Sequence, residues 1–209
     1  MSWRLFIQTL RWQRVRLAVV VLAAMAWGAI LPVIYNAFSE VMRDLANSGA
    51  FPQELMNIGS GSLFTLPGTI TLGMQHPLAL SMLGIFAVGA SSTAIAGERA
   101  RGTLEVLLAR PISRVTLYLT ILAALLLTVF MVLSALLGGM VTSAAVTGLA
   151  DELDLVQMPI VLLNGLGLWA AFTTFGLAMS VTFDRPGPAI GFSLAWLLIH
   201  YFGEILGSL

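Results

Sequence analysis

The side chains able to do chemistry in this chain are few: two His, ten Asp or Glu, and no Cys among 209 residues. His76 stands before Pro77, and His200 stands before Tyr201 with Glu204 one helical turn further on. Metal and haem sites draw their ligands from a close cluster of such groups. Neither histidine has a second histidine at ligand spacing, and only Glu204 falls near His200. No metal site is assigned. His200 and Glu204 share a helical face and would form a proton-linked pair in a secondary carrier, but the plainer reading is that they mark where a helix meets water. An intramembrane hydrolase would need a Ser with a His embedded beside it, or paired Asp residues inside apolar segments, and neither pattern occurs. All ten basic residues are Arg, so no GxxxxGK[ST] loop exists and that route to ATP hydrolysis is closed. The formal net charge is zero, which argues against nucleic acid as a partner. The chain is read as non-catalytic and as holding no cofactor of its own.

The informative residues lie instead in one short run. Residues 96–114 read AGERARGTLEVLLARPISR. Leu104, Leu107 and Leu108 fall at i, i+3 and i+4, one face of a short helix, while Arg101 and Glu105 sit four apart on another. Gly102 is read as capping the start of this helix, Pro111 as ending it, and Ser113 as capping the helix that follows. From the residues alone, the segment is either a functional surface or a charged interfacial helix that satisfies the positive-inside rule.

The elements that must position this run are membrane helices. The chain is 58% hydrophobic and 10% charged, with a mean hydropathy of +0.95, whereas a soluble domain carries roughly a quarter of its residues as charges. The expected fold is an all-α polytopic helical bundle forming a single transmembrane domain. Five spans are predicted, at 17–35, 77–97, 114–147, 156–183 and 188–208. Residues 1–16, which interleave Arg4, Arg11, Arg14 and Arg16 with Trp3 and Trp12, are predicted to lie in the membrane interface as a separate helix. The first apolar run is long enough to span about 30 Å of hydrocarbon, so it is read as a span and not as a cleaved signal. Residues 36–75 are too polar to span and read as an external loop with short helical pieces, and 98–113 as a cytoplasmic loop. The 114–147 run exceeds the roughly 20 residues that one span needs, so it must tilt, project, or break at Gly138 and Gly139. All the arginines except Arg43 fall on one side of this arrangement, which makes that side, and the N-terminus, cytoplasmic. Five spans leave the C-terminus outside, so a sixth span is expected beyond this chain. Within the fourth span, Asn164, Trp169, Thr173 and Thr174 are candidates to line a path, while Gly165, Gly167, Ala171, Gly176 and Ser180 have the small-residue spacing of close helix packing.

The run GERARGTLEVLLARPISR resembles the cytoplasmic loop between the second and third spans of the permease subunits of type-2 ABC exporters, which carries an E…GTLE.LL..P.SR pattern. The resemblance implies an amphipathic helix ahead of the first span and a coupling helix that docks into a groove on a separately encoded ATP-binding subunit. It implies docking residues at Glu98, Arg99, Arg101, Gly102, Thr103, Leu104, Glu105, Leu107, Leu108, Arg110, Pro111, Ser113 and Arg114. Leu104, Leu107 and Leu108 would supply the apolar contact, and Glu98, Arg99, Arg101 and Glu105 the orienting rim. ATP and Mg would reside on the partner. The permease would pair with a second copy or a paralogue, among membrane lipids, in a prokaryotic cell membrane. Members of the family usually have six spans, against the five read here. A non-ABC carrier or channel, and a membrane scaffold recruiting a cytoplasmic protein, are the competing readings. The transported substrate is not assigned.

Overall fold

The computed structural model describes residues 2–48, 57–58, 61–62, 65–109 and 112–207. Helix α1 runs without interruption over Trp3–Asn47, so the expected separate interfacial helix is instead the opening turns of this one. The sequence offers nothing to break it there, since no Gly or Pro occurs before Gly28. Val20, Ala24, Leu31 and Tyr35 are buried along one face at helical spacing, while Val15, Val19, Leu22, Ile30 and Val33 are exposed. Apolar residues on both faces mark a helix whose outer side meets lipid.

Part of the expected external loop is helical too. After a two-residue antiparallel pairing of Asn57–Ile58 with Gly61–Ser62, helix α2 covers Leu66–Gln75, started by Thr65, whose hydroxyl accepts from the Gly68 N–H at 3.2 Å. His76 then takes an extended conformation, as a residue before proline tends to, and its ring caps helix α3, Pro77–Gly84, by accepting from the Leu78 N–H at 3.3 Å. A π-helical stretch, Ile85–Ala90, and the short helix α4, Ser91–Thr93, complete the rod. Together α2 and the rod beginning at Pro77 form one apolar unit bent by 53° at His76.

Helix α5, Ala96–Ala100, and helix α6, Leu104–Leu108, make the loop, and helix α7 follows at Arg114–Val146. Ser113 caps α7 as the sequence predicts, accepting from the Thr116 N–H at 3.1 Å. The 33 residues of α7 span about 50 Å at 1.5 Å each, and the helix passes through Gly138 and Gly139 unbroken. It ends at Gly148, which has a φ of +75°. Helix α8, Met158–Thr182, and helix α9, Pro186–Gly207, follow. Three helical segments are long and apolar enough to cross a membrane, Trp3–Val41, Arg114–Val146 and Met158–Thr182, and a fourth joins them if the bent unit counts as one. Among the described residues, α9 is not one of these segments.

The centre of the molecule is the contact of α1 with α7. The two helices run in the same direction, with the Ser2 N–H donating to Thr120 Oγ1 at 3.0 Å and Ser143 Oγ donating to the Ala29 carbonyl at 2.6 Å. Gly28 and Gly139 bring the backbones together. A Cβ at Gly28 would lie 2.0 Å from the Leu136 carbonyl oxygen, and one at Gly139 would lie 2.1 Å from that of Met25. Such contacts need residues without a side chain, which is how membrane helices gain packing energy where lipid removes the hydrophobic drive. Phe86, Leu125, Leu133, Leu136 and Met140 fill the core between α1, α7 and the π-helical stretch.

Candidate functional site

The loop at 96–114 is assembled by hydrogen bonds that reach well beyond it. Ser180, buried near the end of α8, accepts from both the Ile95 and the Ala96 N–H at 2.9 Å, supplying from another helix the cap that α5 lacks in its own sequence. α5 then ends at Gly102, whose φ of +71° is left-handed. The Thr103 N–H donates to the Glu98 carbonyl at 3.0 Å and the Gly102 N–H to that of Arg99 at 3.0 Å, the paired bonds of a Schellman motif. Gly102 therefore terminates α5, and the residue at the head of α6 is Thr103, correcting the expectation that Gly102 caps the start of the leucine-bearing helix. The positive φ decides this, because it closes a helix and does not open one.

Glu98 holds the turn together. Its carboxylate accepts from Arg101 and from Thr103 Oγ1, the latter at 2.5 Å, and its side chain is largely covered. Arg99 points the other way, toward the turn between α8 and α9. It donates to the Asp184 carboxylate at 3.0 Å and to the carbonyls of Phe183 at 3.1 Å and Val181 at 3.3 Å. A cation at the carbonyl end of a helix also meets its dipole favourably.

The three leucines of α6 are half-buried against this chain's own spans. Leu104 and Leu108 line a cavity of about 500 Å³ with Ile95, Arg99, Tyr118 and Val181. Leu107 lines a second one, about 180 Å³, with Trp12, Arg16, Glu98 and Leu117. Arg16 also sits there, bonded to Gln13 at 3.0 Å and stacked over the Phe86 ring at 4.9 Å. The outward surface consists of Arg101, Gly102, Thr103, Glu105, Val106 and Ala109, with Val106 64% exposed. Ser113 and Arg114 are exposed at the head of α7, while Arg110 and Pro111 lie outside the described residues. Sequence reasoning passed over Val106 and Asp184, and read Ser180 as a small packing residue without its role as a cap. A lone valine on a polar face carries some signal, but the distant partners carry none.

The remaining candidates separate. Trp169 and Thr173 are buried, with Thr173 Oγ1 donating to the Trp169 carbonyl at 2.7 Å, whereas Asn164 and Thr174 are exposed, so the four do not share one path. Gly165 and Gly176 are close-packing positions: a Cβ would lie 2.9 Å from Leu133 Cδ2 in the first case and 2.1 Å from Ser91 Oγ in the second. Gly167 faces open space, Ala171 is exposed, and Ser180 is the cap described above. Next to the Gly176 contact, Ser92 Oγ donates to Ser193 Oγ at 2.9 Å, which ties α4 to α9. The His76 ring packs at a tilt against Trp27, centroids 4.9 Å apart, and that of His200 at a tilt against Trp196, centroids 4.2 Å apart, with Nδ1 3.0 Å from the Trp196 carbonyl. The Glu204 side chain lies outside the described residues. Among the described residues, no group of three or more His, Asp or Glu is placed to hold a metal.

Long apolar helices with exposed valines and leucines, joined by a short charged loop fastened to the end of α8, define a multi-pass membrane protein. The profile of the ABC-2 family transporter proteins matches residues 3–206, and the chain belongs to that family. No curated protein and no solved structure matches it.

Proposed function

We propose that this chain is the permease subunit of an ATP-driven exporter, and that its 98–113 loop receives the motion of a separately encoded ATP-binding subunit. The observation that carries this is the two-sidedness of the loop. Arg99 and the Ser180 cap fasten it to the end of α8, while Arg101, Thr103, Glu105 and Val106 are turned away from the spans. A force applied to such a surface reaches α8 through short hydrogen bonds and α7 through the Ser113 cap. In this reading, closure of the partner's nucleotide-binding dimer displaces α5 and α6 as one body. The leucines act as the root of the coupling helix in its own bundle, and Val106 with its charged neighbours is the part a partner meets.

The reading places ATP and Mg on the partner and assigns this chain no catalysis and no cofactor. It pairs the permease with a second copy or a paralogue, sets it in a prokaryotic cell membrane with the N-terminus cytoplasmic, and makes the direction of transport outward. The test is co-expression with an ATP-binding subunit of an ABC transporter from the same genome. ATP hydrolysis in proteoliposomes should rise when this chain is present, and Val106→Asp should remove both the rise and the co-purification. Transport that follows a proton gradient with no ATPase present would overturn the proposal in favour of a secondary carrier.

A further inference from the structure

Three arginines at the start of α1 have a different character from those of the loop. Arg4, Arg11 and Arg14 are exposed, and among the described residues no carboxylate pairs with them, whereas Arg99 and Arg101 each have one. No acid precedes Glu40 in the sequence. The spacing 4, 7, 11, 14, 18, 21 places Arg4, Ile7, Arg11, Arg14, Ala18 and Val21 along a single helical stripe. Arg4, Arg11 and Arg14 surround a recess of about 610 Å³ of mixed polar and apolar lining with Ile7, Gln8 and Trp12. Arg11, Arg14 and Ile7 also border an almost wholly apolar groove of about 670 Å³ between α1 and α7, floored by Leu17, Ala18, Val21, Phe130 and Met131. The arginine-lined recess and the apolar groove thus share Ile7, Arg11 and Arg14 as a common border.

We infer that this α1/α7 groove is a binding site for an anionic diacyl phospholipid, with the phosphate held by Arg4, Arg11 and Arg14 and an acyl chain lying along Ala18, Val21 and Phe130. Charge complementarity selects the occupant. Three exposed guanidinium groups, with no carboxylate partner among the described residues, favour a phosphodiester with net negative charge over a zwitterionic headgroup, whose own ammonium would be repelled. The groove distinguishes this from general attraction to an acidic surface, because it gives one lipid a shaped place beside the α1–α7 contact.

The test is native mass spectrometry of the full chain, equilibrated in micelles with equal amounts of phosphatidylglycerol and phosphatidylcholine. The wild type should retain phosphatidylglycerol in preference, and Arg11→Gln and Arg14→Gln should each lower that preference about fivefold. Arg185→Gln, which removes an exposed arginine far along the chain, should leave it unchanged. Ala18→Trp, which fills the groove while keeping every arginine, should lower retention of the lipid with the helical circular dichroism intact. Equal retention of the two lipids, or a preference indifferent to Arg11, Arg14 and Ala18, would overturn the assignment. So would loss of the preference to excess inorganic phosphate at matched ionic strength, which would make the recess a free-phosphate site. A shift in the monomer–dimer balance of the variants with lipid retention unchanged would give the groove to a second copy of the chain.

Discussion

The Arg99 guanidinium lies 3.0 Å from the Asp184 carboxylate, and this pair joins the α5–α6 loop to the turn that links α8 and α9. Arg99 also donates to the Phe183 and Val181 carbonyls, so the ion pair is only part of the junction. Asp184 is almost fully exposed and Arg99 about one-third so, which limits what the charge interaction itself contributes.

The first prediction separates the two partners. Asp184→Asn should cost less than about 1 kcal/mol, because water screens the pair. Arg99→Ala also frees helix-end carbonyls and should cost about 1–2 kcal/mol. Thermal unfolding in detergent, followed by circular dichroism, should rank Arg99→Ala clearly below Asp184→Asn. Equal melting temperatures would show that the carbonyl contacts contribute nothing.

Ser180 gives a second prediction. One buried hydroxyl accepts two backbone N–H groups at the turn between α4 and α5, and Ser180→Ala leaves both donors without that partner. The expected loss is about 1–3 kcal/mol. Amide hydrogen exchange should show faster exchange at Ile95 and Ala96, with the middle of α7 unchanged.

Adjacent glycines of α7 should behave in opposite ways. Gly139→Ala places a methyl about 2 Å from the Met25 carbonyl oxygen and should strip the chain of its α1–α7 contact, at a cost above roughly 3 kcal/mol. Gly138→Ala meets nothing within 4 Å and should be neutral or slightly stabilising, because alanine is the better helix former. Fluorescence-detected size exclusion in detergent reads the difference as a lost or preserved monodisperse peak.

The loop itself makes the fourth prediction. Val106 is exposed and Leu107 is half-buried beside Trp12 and Leu117. Val106→Asp should change the unfolding free energy by less than about 0.5 kcal/mol while abolishing capture of the ATP-binding partner proposed above. Leu107→Asp should lower the melting temperature of the isolated chain, because it puts a carboxylate among the spans. A Leu107→Asp chain as stable as wild type would return the leucine face to the partner.

How much of this was legible in the sequence differs from residue to residue. The Ser113 cap could be read off because its cause is local: a hydroxyl reaches an N–H three residues on. The lipid-contacting character of α1, α7 and α8 was equally plain, since a window of apolar residues has one hydropathy whatever packs against it. The continuity of α1 from Trp3 was missed because four arginines among aromatics resemble an interfacial helix, although nothing in the run stops a helix. Gly102 was placed on the wrong helix by a residue or two, the usual precision of a boundary read without dihedral angles.

By itself, then, the sequence determined that this is a membrane protein of apolar helices with one charged, helix-bearing loop, and that the loop resembles a family's coupling segment. Only the tertiary structure decided that Leu104, Leu107 and Leu108 face the spans and Val106 faces away, that Ser180 and Arg99 fasten the loop to α8, and that Gly28 and Gly139 meet across two helices. The physical reason is the range of the interactions. Hydropathy and capping act within a few residues, whereas which face of a helix is covered, and which glycine must be bare, depends on atoms some 80 to 110 positions away along the chain.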